Sequence, residues 1–331
     1  MCDFPASERP HHGEDQFHGQ HYDPAGPNES QGYITEVATR AMVFIEADNP
    51  AIGLMRVLPV GNLIDTSPDY GRSEELIGSY IGHRRDEFFL ASKCGCPLES
   101  PADAPPPYPH DYSPGNVRAG VEQSLRRLRT DYLDLVQVHM SPAKATLEEN
   151  HTVQTLKDLQ AEGKVRFIGM SGILPYLPDH IAMGVFDVFQ IPYSAVQRDH
   201  EELITGAASA GAGTFIRGGA ARGAASEDKN WRTGPLSQDP GVGQRNWETS
   251  GIACLLSEAG MGSMEFVLRF TLSHPALSTT IVGTANPVHL ASNIAVAEKG
   301  PLPAGLYEQA KKQLPLPETA TARPRASRSG P

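Results

Sequence analysis

The sequence predicts an α/β protein folded as one (β/α)8 TIM barrel. Short runs rich in Val, Ile and Phe alternate with longer amphipathic stretches along most of the chain. The chain has 331 residues with 39% hydrophobic content, which is enough apolar surface for a single large core. No G-x-G-x-x-G motif follows an early run, which argues against an open, doubly wound sheet, although counting strands alone leaves that alternative open.

Seven runs have the composition of buried parallel strands, and each ends in a polar residue or a glycine. Strands that alternate with helices imply a parallel sheet with right-handed crossovers, and seven or eight such units favour a closed barrel. An irregular first strand is expected within residues 38–46, ahead of a helical stretch around 51–58. The other predicted strands are 62–65, 87–93, 133–139, 165–171, 186–193, 213–217 and 279–283.

The clearest helix is predicted over residues 116–129. Val117, Val121 and Leu125 recur at four-residue spacing and Leu128 follows three positions later, which places all four on one face. That face should pack against the barrel.

The two ends of the chain differ from the middle in composition. Residues 1–32 and 315–331 are polar and rich in proline, with few branched aliphatic side chains to bury. We therefore predict a flexible arm, a barrel over 33–314 and a flexible, disordered tail.

Charge and composition favour a small-molecule partner. The net charge of −11 is dispersed, which argues against nucleic acid and anionic membrane as partners. No stretch approaches the roughly 20 apolar residues of a membrane span, and no secretory signal is visible, so a cytoplasmic protein is expected. The four cysteines are too few for a disulfide framework, and the sequence does not specify an oligomeric state.

Four polar residues fall at the ends of three successive predicted strands: Asp65, Tyr70 five residues later, Lys93 and His139. In a parallel barrel these ends open onto one face. A carbonyl that accepts hydride needs a proton, and a tyrosine can give it if a nearby ammonium lowers its pKa. Lys93 is placed for that role, with Asp65 to hold it and His139 to donate a hydrogen bond to the carbonyl oxygen.

Each of these residues also has an ordinary structural interpretation. A lysine can close a strand in solvent, a histidine can be packed and hydrogen-bonded, a tyrosine can anchor a loop, and an aspartate can cap a helix. Their joint placement at consecutive strand ends is what favours a catalytic site.

Six motifs resemble those of the aldo-keto reductase family, in the family's order, over roughly residues 62–300. They are IDTSPDYGRSEELIG, LASK, VEQSLRRLRTDYLDLVQVH, GKVRFIGMSG, FQIPYS and IVGTANPVHLASN. By that resemblance Asp65, Tyr70, Lys93 and His139 form the catalytic tetrad.

The resemblance also implies a nicotinamide dinucleotide, usually NADPH with NADH also compatible, bound across the barrel mouth. Ser171 and Gln190 would contact the nicotinamide carboxamide, and Arg217 stands where relatives often have a stacking aromatic residue. The positions that would hold the adenosine end are Gly283, Thr284, Asn286, His289 and Asn293. For Asn286, capping a helix that begins at Pro287 is an equally compatible role.

The sequence departs from the family pattern at three points, the first two at cofactor-binding positions and the third in the first strand. Ala285 stands where many NADPH-preferring relatives have an arginine, and Gly172 stands where many have an asparagine. The family's glycine-rich opening is not visible in residues 33–50.

The resemblance implies reversible hydride transfer between NAD(P)H and an aldehyde, ketone or sugar-like carbonyl, with Tyr70 as proton donor. The alternative is a cofactor-binding, redox-sensing regulatory subunit with little turnover, since the fold also serves in potassium-channel β subunits.

The Cys94-Gly95-Cys96 sequence follows the predicted catalytic lysine directly. A C-x-C with no second pair of ligands is weak evidence for a redox pair or a metal. We therefore predict a structural role for it and no metal site.

Overall fold

The computed structural model describes residues 63–98, 109–221, 247–284 and 286–314, and the backbone of a strand at Met42–Phe44. The predicted arm, the tail and the helical stretch around 51–58 lie outside the described residues. Within the described part of the chain, no helix is both long and apolar enough to cross a bilayer.

Eight parallel strands close into a barrel in sequence order, as predicted. The short first strand lies inside the predicted range and pairs with both the second and the eighth. The 165–171, 213–217 and 279–283 strands are confirmed as predicted, and β2, β3, β4 and β6 differ from their predicted bounds by one or two residues at one or both ends. The strands are β1 Met42–Phe44, β2 Leu63–Asp65, β3 Phe89–Cys94, β4 Leu133–Val138, β5 Val165–Ser171, β6 Val188–Pro192, β7 Gly213–Arg217 and β8 Thr279–Gly283.

Helices connect the strands, with a 3-10 helix at Gly82–Glu87 before β3. The α-helices are α1 Ser73–Tyr80, α2 Pro114–Leu128, α3 Lys144–Glu149, α4 Thr152–Ala161, α5 Leu177–Ala182, α6 Glu201–Ser209, α7 Ile252–Glu258, α8 Ser263–Leu272, α9 Pro287–Glu298 and α10 Ala304–Gln313.

Helix α2 begins two residues before the predicted start. Ser113 caps it, since its side chain accepts a hydrogen bond from the Asn116 amide, and Pro114 occupies the first turn. Arg129 adopts a left-handed conformation with φ 56° and ends the helix. The predicted apolar face of this helix is buried.

The barrel interior changes from apolar to polar along four neighbouring or near-neighbouring strands, β2, β3, β4 and β6. One apolar cluster fills it, built from Leu63, Phe89, Ala91, Leu135, Phe167, Val188, Phe215 and Ile281. Side chains two positions apart on a strand share a face. The next inward positions after Leu63, Ala91, Leu135 and Val188 are therefore Asp65, Lys93, Gln137 and Gln190, all buried. The core ends in a polar layer at the carboxyl ends of the strands.

Gly78 allows α1 to approach the end of α2. A Cβ at this position would lie 2.2 Å from the Arg127 carbonyl oxygen and 2.8 Å from the Leu128 carbonyl carbon. Because backbone atoms cannot swing aside, Gly78→Ala should lower the free energy of unfolding by about 1–3 kcal/mol. Gly206→Ala in α6 is the matched control, since its Cβ would meet nothing within 4 Å. Chemical denaturation should show Gly206→Ala stabilised by about 0.5–1 kcal/mol; equal effects of the two substitutions would contradict the packing argument.

His200, buried before α6, should make stability depend on pH. Its Nε2 accepts a hydrogen bond from the Leu174 amide at 3.1 Å, so that nitrogen carries no proton. Burial, reinforced by the charge of Arg217, lowers the pKa of His200 from 6.5 to about 4. Between these two pKa values the unfolded chain therefore binds more protons than the folded chain. The stability that neutral His200 contributes is complete above pH 6.5 and is lost as the pH falls to about 4.

Denaturation of the parent protein and of His200→Gln over this range will measure the effect. Gln can accept the same hydrogen bond without titrating, so the parent should lose stability relative to the variant by on the order of 2–3 kcal/mol. Parallel curves would show that His200 does not titrate in this way.

Candidate active site

The four predicted catalytic residues meet at the carboxyl end of the barrel. Asp65 ends β2, Lys93 lies near the end of β3, His139 directly follows β4, and Tyr70 lies in the turn before α1. The Lys93 Nζ lies 4.9 Å from the centre of the Tyr70 ring, and the rings of Tyr70 and His139 meet edge to face with centroids 6.2 Å apart.

Asp65 and Lys93 form a fully buried ion pair. Lys93 Nζ donates to Asp65 Oδ2 at 2.7 Å and to the Thr66 carbonyl oxygen at 2.8 Å. The other carboxylate oxygen accepts from Gln137 Nε2 at 2.8 Å and Gln190 Nε2 at 3.0 Å. Burial opposes the charge of Lys93, but Asp65 and Tyr70 outweigh it and raise the pKa of the lysine. The ammonium therefore stays charged.

Tyr70 is half-buried beside this ammonium. Burial is the largest influence on the pKa of Tyr70 and raises it, while Lys93, which is also hydrogen-bonded to Tyr70, and Arg217 lower it. The net pKa lies above 10. Lys93 therefore lowers the pKa of Tyr70, as predicted, but desolvation of the phenolate outweighs the attraction of the ammonium. Tyr70 consequently holds its proton and has a cation ready to stabilise the phenolate.

His139 is a neutral imidazole in this site. Burial lowers its pKa to about 4, against the opposing influence of Asp69 and with further lowering by Lys93. Hydrogen bonds hold the backbone of His139 at both its amide and its carbonyl group. The amide donates to the Cys94 carbonyl at 3.1 Å, and the carbonyl accepts from the Tyr112 hydroxyl at 2.8 Å. A neutral imidazole has one N–H, which can serve as a hydrogen-bond donor.

Asp69, Cys96 and His110 surround the Nδ1 atom of His139, a grouping that was not predicted from the sequence. His139 Nδ1 lies 3.2 Å from His110 Nε2, 3.3 Å from Asp69 Oδ2 and 3.4 Å from Cys96 Sγ. Burial opposes ionisation of Asp69, but hydrogen bonds from His110 and His139 outweigh it and hold the pKa of this carboxyl well below its usual range. The proximity of Asp69 and Cys96 to the tetrad in sequence was a usable signal, whereas His110 lies in a proline-rich loop that carries none.

Gly95 turns the chain so that Cys96 faces this group. Its φ is +89°, and a Cβ would lie 2.5 Å from the Tyr112 ring. Only glycine combines this conformation with so close an approach. The C-x-C motif therefore points its two cysteines to different surroundings.

The residues predicted to hold a nicotinamide lie beside the tetrad. Ser171 ends β5 and is in register with Gln190 of β6, whose amide is already bound to Asp65. Arg217 ends β7, half-buried, and its charge acts on Tyr70. Packing explains why residue 172 is glycine, since a Cβ at this position would lie 2.6 Å from Leu177 Cδ1.

The predicted adenosine-binding residues lie where β8 leads into α9, at the same end of the barrel. Asn286 caps α9, its Oδ1 accepting from the Val288 amide at 2.9 Å, and its own amide donates to Thr284 Oγ1 at 3.1 Å. The capping role considered for Asn286 is therefore confirmed. Gly283 and His289 are exposed and Asn293 is half-buried, while Ala285 lies outside the described residues.

Comparison with known proteins places the chain among relatives with this architecture. An uncharacterized oxidoreductase of Bacillus subtilis is 27% identical over 272 residues, covering 80% of this chain and 87% of that protein. L-galactose dehydrogenase of Arabidopsis thaliana is 26% identical over 247 residues, covering 71% and 73%.

Solved structures support the fold. The holo form of an aldo-keto reductase from Bacillus halodurans has a TM-score of 0.72 at 23% identity and covers 84% of this chain and 93% of its own. A glycerol dehydrogenase from Gluconobacter oxydans has a TM-score of 0.65 at 24% identity, with coverage of 88% and 86%. The sequence model of the aldo/keto reductase family matches residues 58–313, most of the chain. The chain therefore belongs to the aldo/keto reductase family of oxidoreductases.

Proposed function

We propose that this protein reduces the carbonyl group of an aldehyde, ketone or sugar-like substrate with NAD(P)H, and oxidises the corresponding alcohol in reverse. The observation that carries the proposal is the Lys93 ammonium, held by Asp65 at 2.7 Å and lying 4.9 Å from the centre of the Tyr70 ring, with the His139 ring against the same tyrosine. This grouping fits transfer of a proton to an oxygen on which negative charge develops.

The residues at the strand ends fit a nicotinamide dinucleotide. The Ser171 hydroxyl and the Gln190 carboxamide suit the carboxamide of the nicotinamide, and the guanidinium plane of Arg217 suits the face of its ring. The β8–α9 turn offers a helix N-terminus to the phosphate-bearing end, alongside Asn293 and His289. When bound, the cofactor supplies the hydride.

The chain's own residues handle the proton and the charge. His139, in the tautomer that carries its proton on Nε2 and not on the Nδ1 atom beside Asp69, donates a hydrogen bond to the carbonyl oxygen and orients it. Tyr70 gives its hydroxyl proton to that oxygen as charge develops. Lys93 stabilises the phenolate that remains, while Asp65 keeps the lysine in place through the buried pair. The apolar layer below closes the bottom of the site to water.

A turnover assay tests this proposal against the regulatory alternative. Purified protein is mixed with NADPH or NADH and a panel of aromatic aldehydes, diketones and sugars, and the reduced cofactor is followed over time. Steady, substrate-dependent consumption is expected. Tight cofactor binding with no turnover on any substrate would favour a redox-sensing subunit instead.

The same protein should discriminate weakly between NADPH and NADH. An arginine paired with the 2′-phosphate contributes about 1.5–3 kcal/mol, or roughly 10- to 100-fold in affinity, and Ala285 cannot supply it. A relative 31% identical over 152 residues, spanning 46% of its own length, is an NADH-specific methylglyoxal reductase of Escherichia coli. Titration of both cofactors should give dissociation constants within about tenfold, and Ala285→Arg should tighten NADPH alone. A strong preference for NADPH in the parent protein would contradict this.

A further inference from the structure

We propose that Asp69, Cys96, His110 and His139 form a binding site for one divalent transition-metal ion, with Zn²⁺ as the best-suited ion. Each residue offers one ligand atom, and the four atoms all lie within 4.8 Å of one another. This four-residue site adjoins Tyr70 but does not depend on the proposed reductase activity.

Four of the six separations between the ligand atoms are close to those of a tetrahedral centre. His110 Nε2 lies 3.1 Å from Asp69 Oδ2 and 3.2 Å from His139 Nδ1, while His139 Nδ1 lies 3.3 Å from Asp69 Oδ2 and 3.4 Å from Cys96 Sγ. Zinc binds nitrogen and oxygen at about 2.0–2.2 Å and sulfur at about 2.3 Å, which in a tetrahedron separates the ligands by about 3.3–3.6 Å. The separations of Cys96 from Asp69 and His110 are within 4.8 Å, so a shift of the Cys96 side chain by up to about an ångström would complete the geometry.

The chemical types of the ligands favour zinc over harder cations. Two imidazoles, a thiolate and a carboxylate combine soft and borderline donors, whereas magnesium and calcium select oxygen ligands. The carboxylate and the thiolate together neutralise a divalent charge, which matters because the side chains of His110 and Asp69 are only 5% and 13% exposed.

The hydrogen bonds within the cluster leave one buried atom without a partner. His110 and His139 both lie within hydrogen-bond reach of Asp69 Oδ2. Asp69 Oδ1 is buried and has no hydrogen-bond partner among the described residues. A bound divalent cation would take the place of the protons between these ligand atoms.

Neighbouring groups hold the ligands in place. Ser67 Oγ accepts from the Asp69 amide at 3.3 Å and lies 3.5 Å from Cys96 Sγ, so one hydroxyl braces two ligands. Tyr112 fixes the backbone of His139 and packs with its ring centroid 6.2 Å from that of His110. Such outer-shell contacts are a regular feature of protein metal sites.

Occupation of the site would fix the tautomer of His139. An imidazole bound to metal through Nδ1 carries its proton on Nε2, and that nitrogen is then the ring's donor. If the proposed function holds, the ion would therefore keep His139 in the form that donates to the substrate.

Metal titration of the full chain tests the site without relying on activity. Untagged protein is stripped with a chelator and titrated with Zn²⁺, and separately with Co²⁺, whose bond to a thiolate gives a charge-transfer absorption band. One ion per chain and a thiolate band are expected. Cys96→Ser should abolish the band. Both Cys96→Ser and His110→Ala should weaken Zn²⁺ binding by more than about 100-fold, which exceeds the loss expected when a residue that only contacts the ligands is changed.

Cys254→Ser is the matched control, since this exposed cysteine does not belong to the cluster, and it should keep the band and the stoichiometry. Tyr70→Phe should also bind one ion. Retention of the band in Cys96→Ser, or binding of no ion by the parent, would overturn the proposal and leave a hydrogen-bonded cluster only. If the protein binds one ion but reduces no carbonyl, the proposed metal site stands and the proposed reductase function is refuted.

Discussion

Tyr70→Phe will lower the rate of carbonyl reduction by about 10²–10⁴-fold while cofactor binding stays near that of the parent protein. The substitution removes the hydroxyl and keeps the ring, so the contacts with Lys93 Nζ and the His139 ring are retained. Because the lost group acts on charge that develops only during the reaction, kcat and kcat/KM should fall together.

Tyr80→Phe is the matched control for this result. Tyr80 ends α1 and is 54% exposed, so loss of its hydroxyl should leave the rate unchanged. Steady-state rates and cofactor titrations of the three proteins make the comparison. A Tyr70→Phe enzyme with near-parental rates would show that another group supplies the proton.

Lys93→Met will destabilise the fold as well as abolish activity. Lys93 and Asp65 are each about 1% exposed and joined at 2.7 Å. Removal of the cation leaves a buried carboxylate with no counter-charge, which costs about 3–5 kcal/mol in a protein interior. Urea denaturation should show this loss in the free energy of unfolding.

A second substitution separates the stability effect from the chemical one. In the double variant Asp65→Asn, Lys93→Met the uncompensated charge is gone, so most of the stability should return. Activity should not return, because no ammonium remains to stabilise the Tyr70 phenolate. The exposed Lys144–Glu148 pair, at 3.5 Å, gives the control: Lys144→Met should change stability by under about 1 kcal/mol. Recovery of turnover in the double variant would show that the reaction does not require Lys93.

The barrel strands and the positions of three tetrad residues could be predicted from the sequence because both depend on short-range patterns. Asp65 and Lys93 each end a strand-like run in the sequence, and the ends of parallel strands open onto the same side of the barrel. The structure confirms the apolar face of α2 for the same reason, since the repeat of Val117 and Val121 is local.

The cofactor-binding assignments remain predictions that rest on the resemblance. The packing reason for Gly172 could not be read from sequence, because the atom that fills its space belongs to Leu177 and reaches back over a turn. Sequence patterns describe which face a side chain takes, and they do not describe which neighbour occupies the space beyond it.

The sequence by itself determined the barrel, the order of its strands and the end at which the polar residues collect, because each follows from residue periodicity and strand direction. Only the tertiary structure decided the protonation of Tyr70 and the four-residue cluster at His139. Burial dominates the pKa of the tyrosine, and it depends on everything packed around the ring. His139 meets Cys96 and His110 across 43 and 29 residues of chain, and contacts of that range form only in the folded protein.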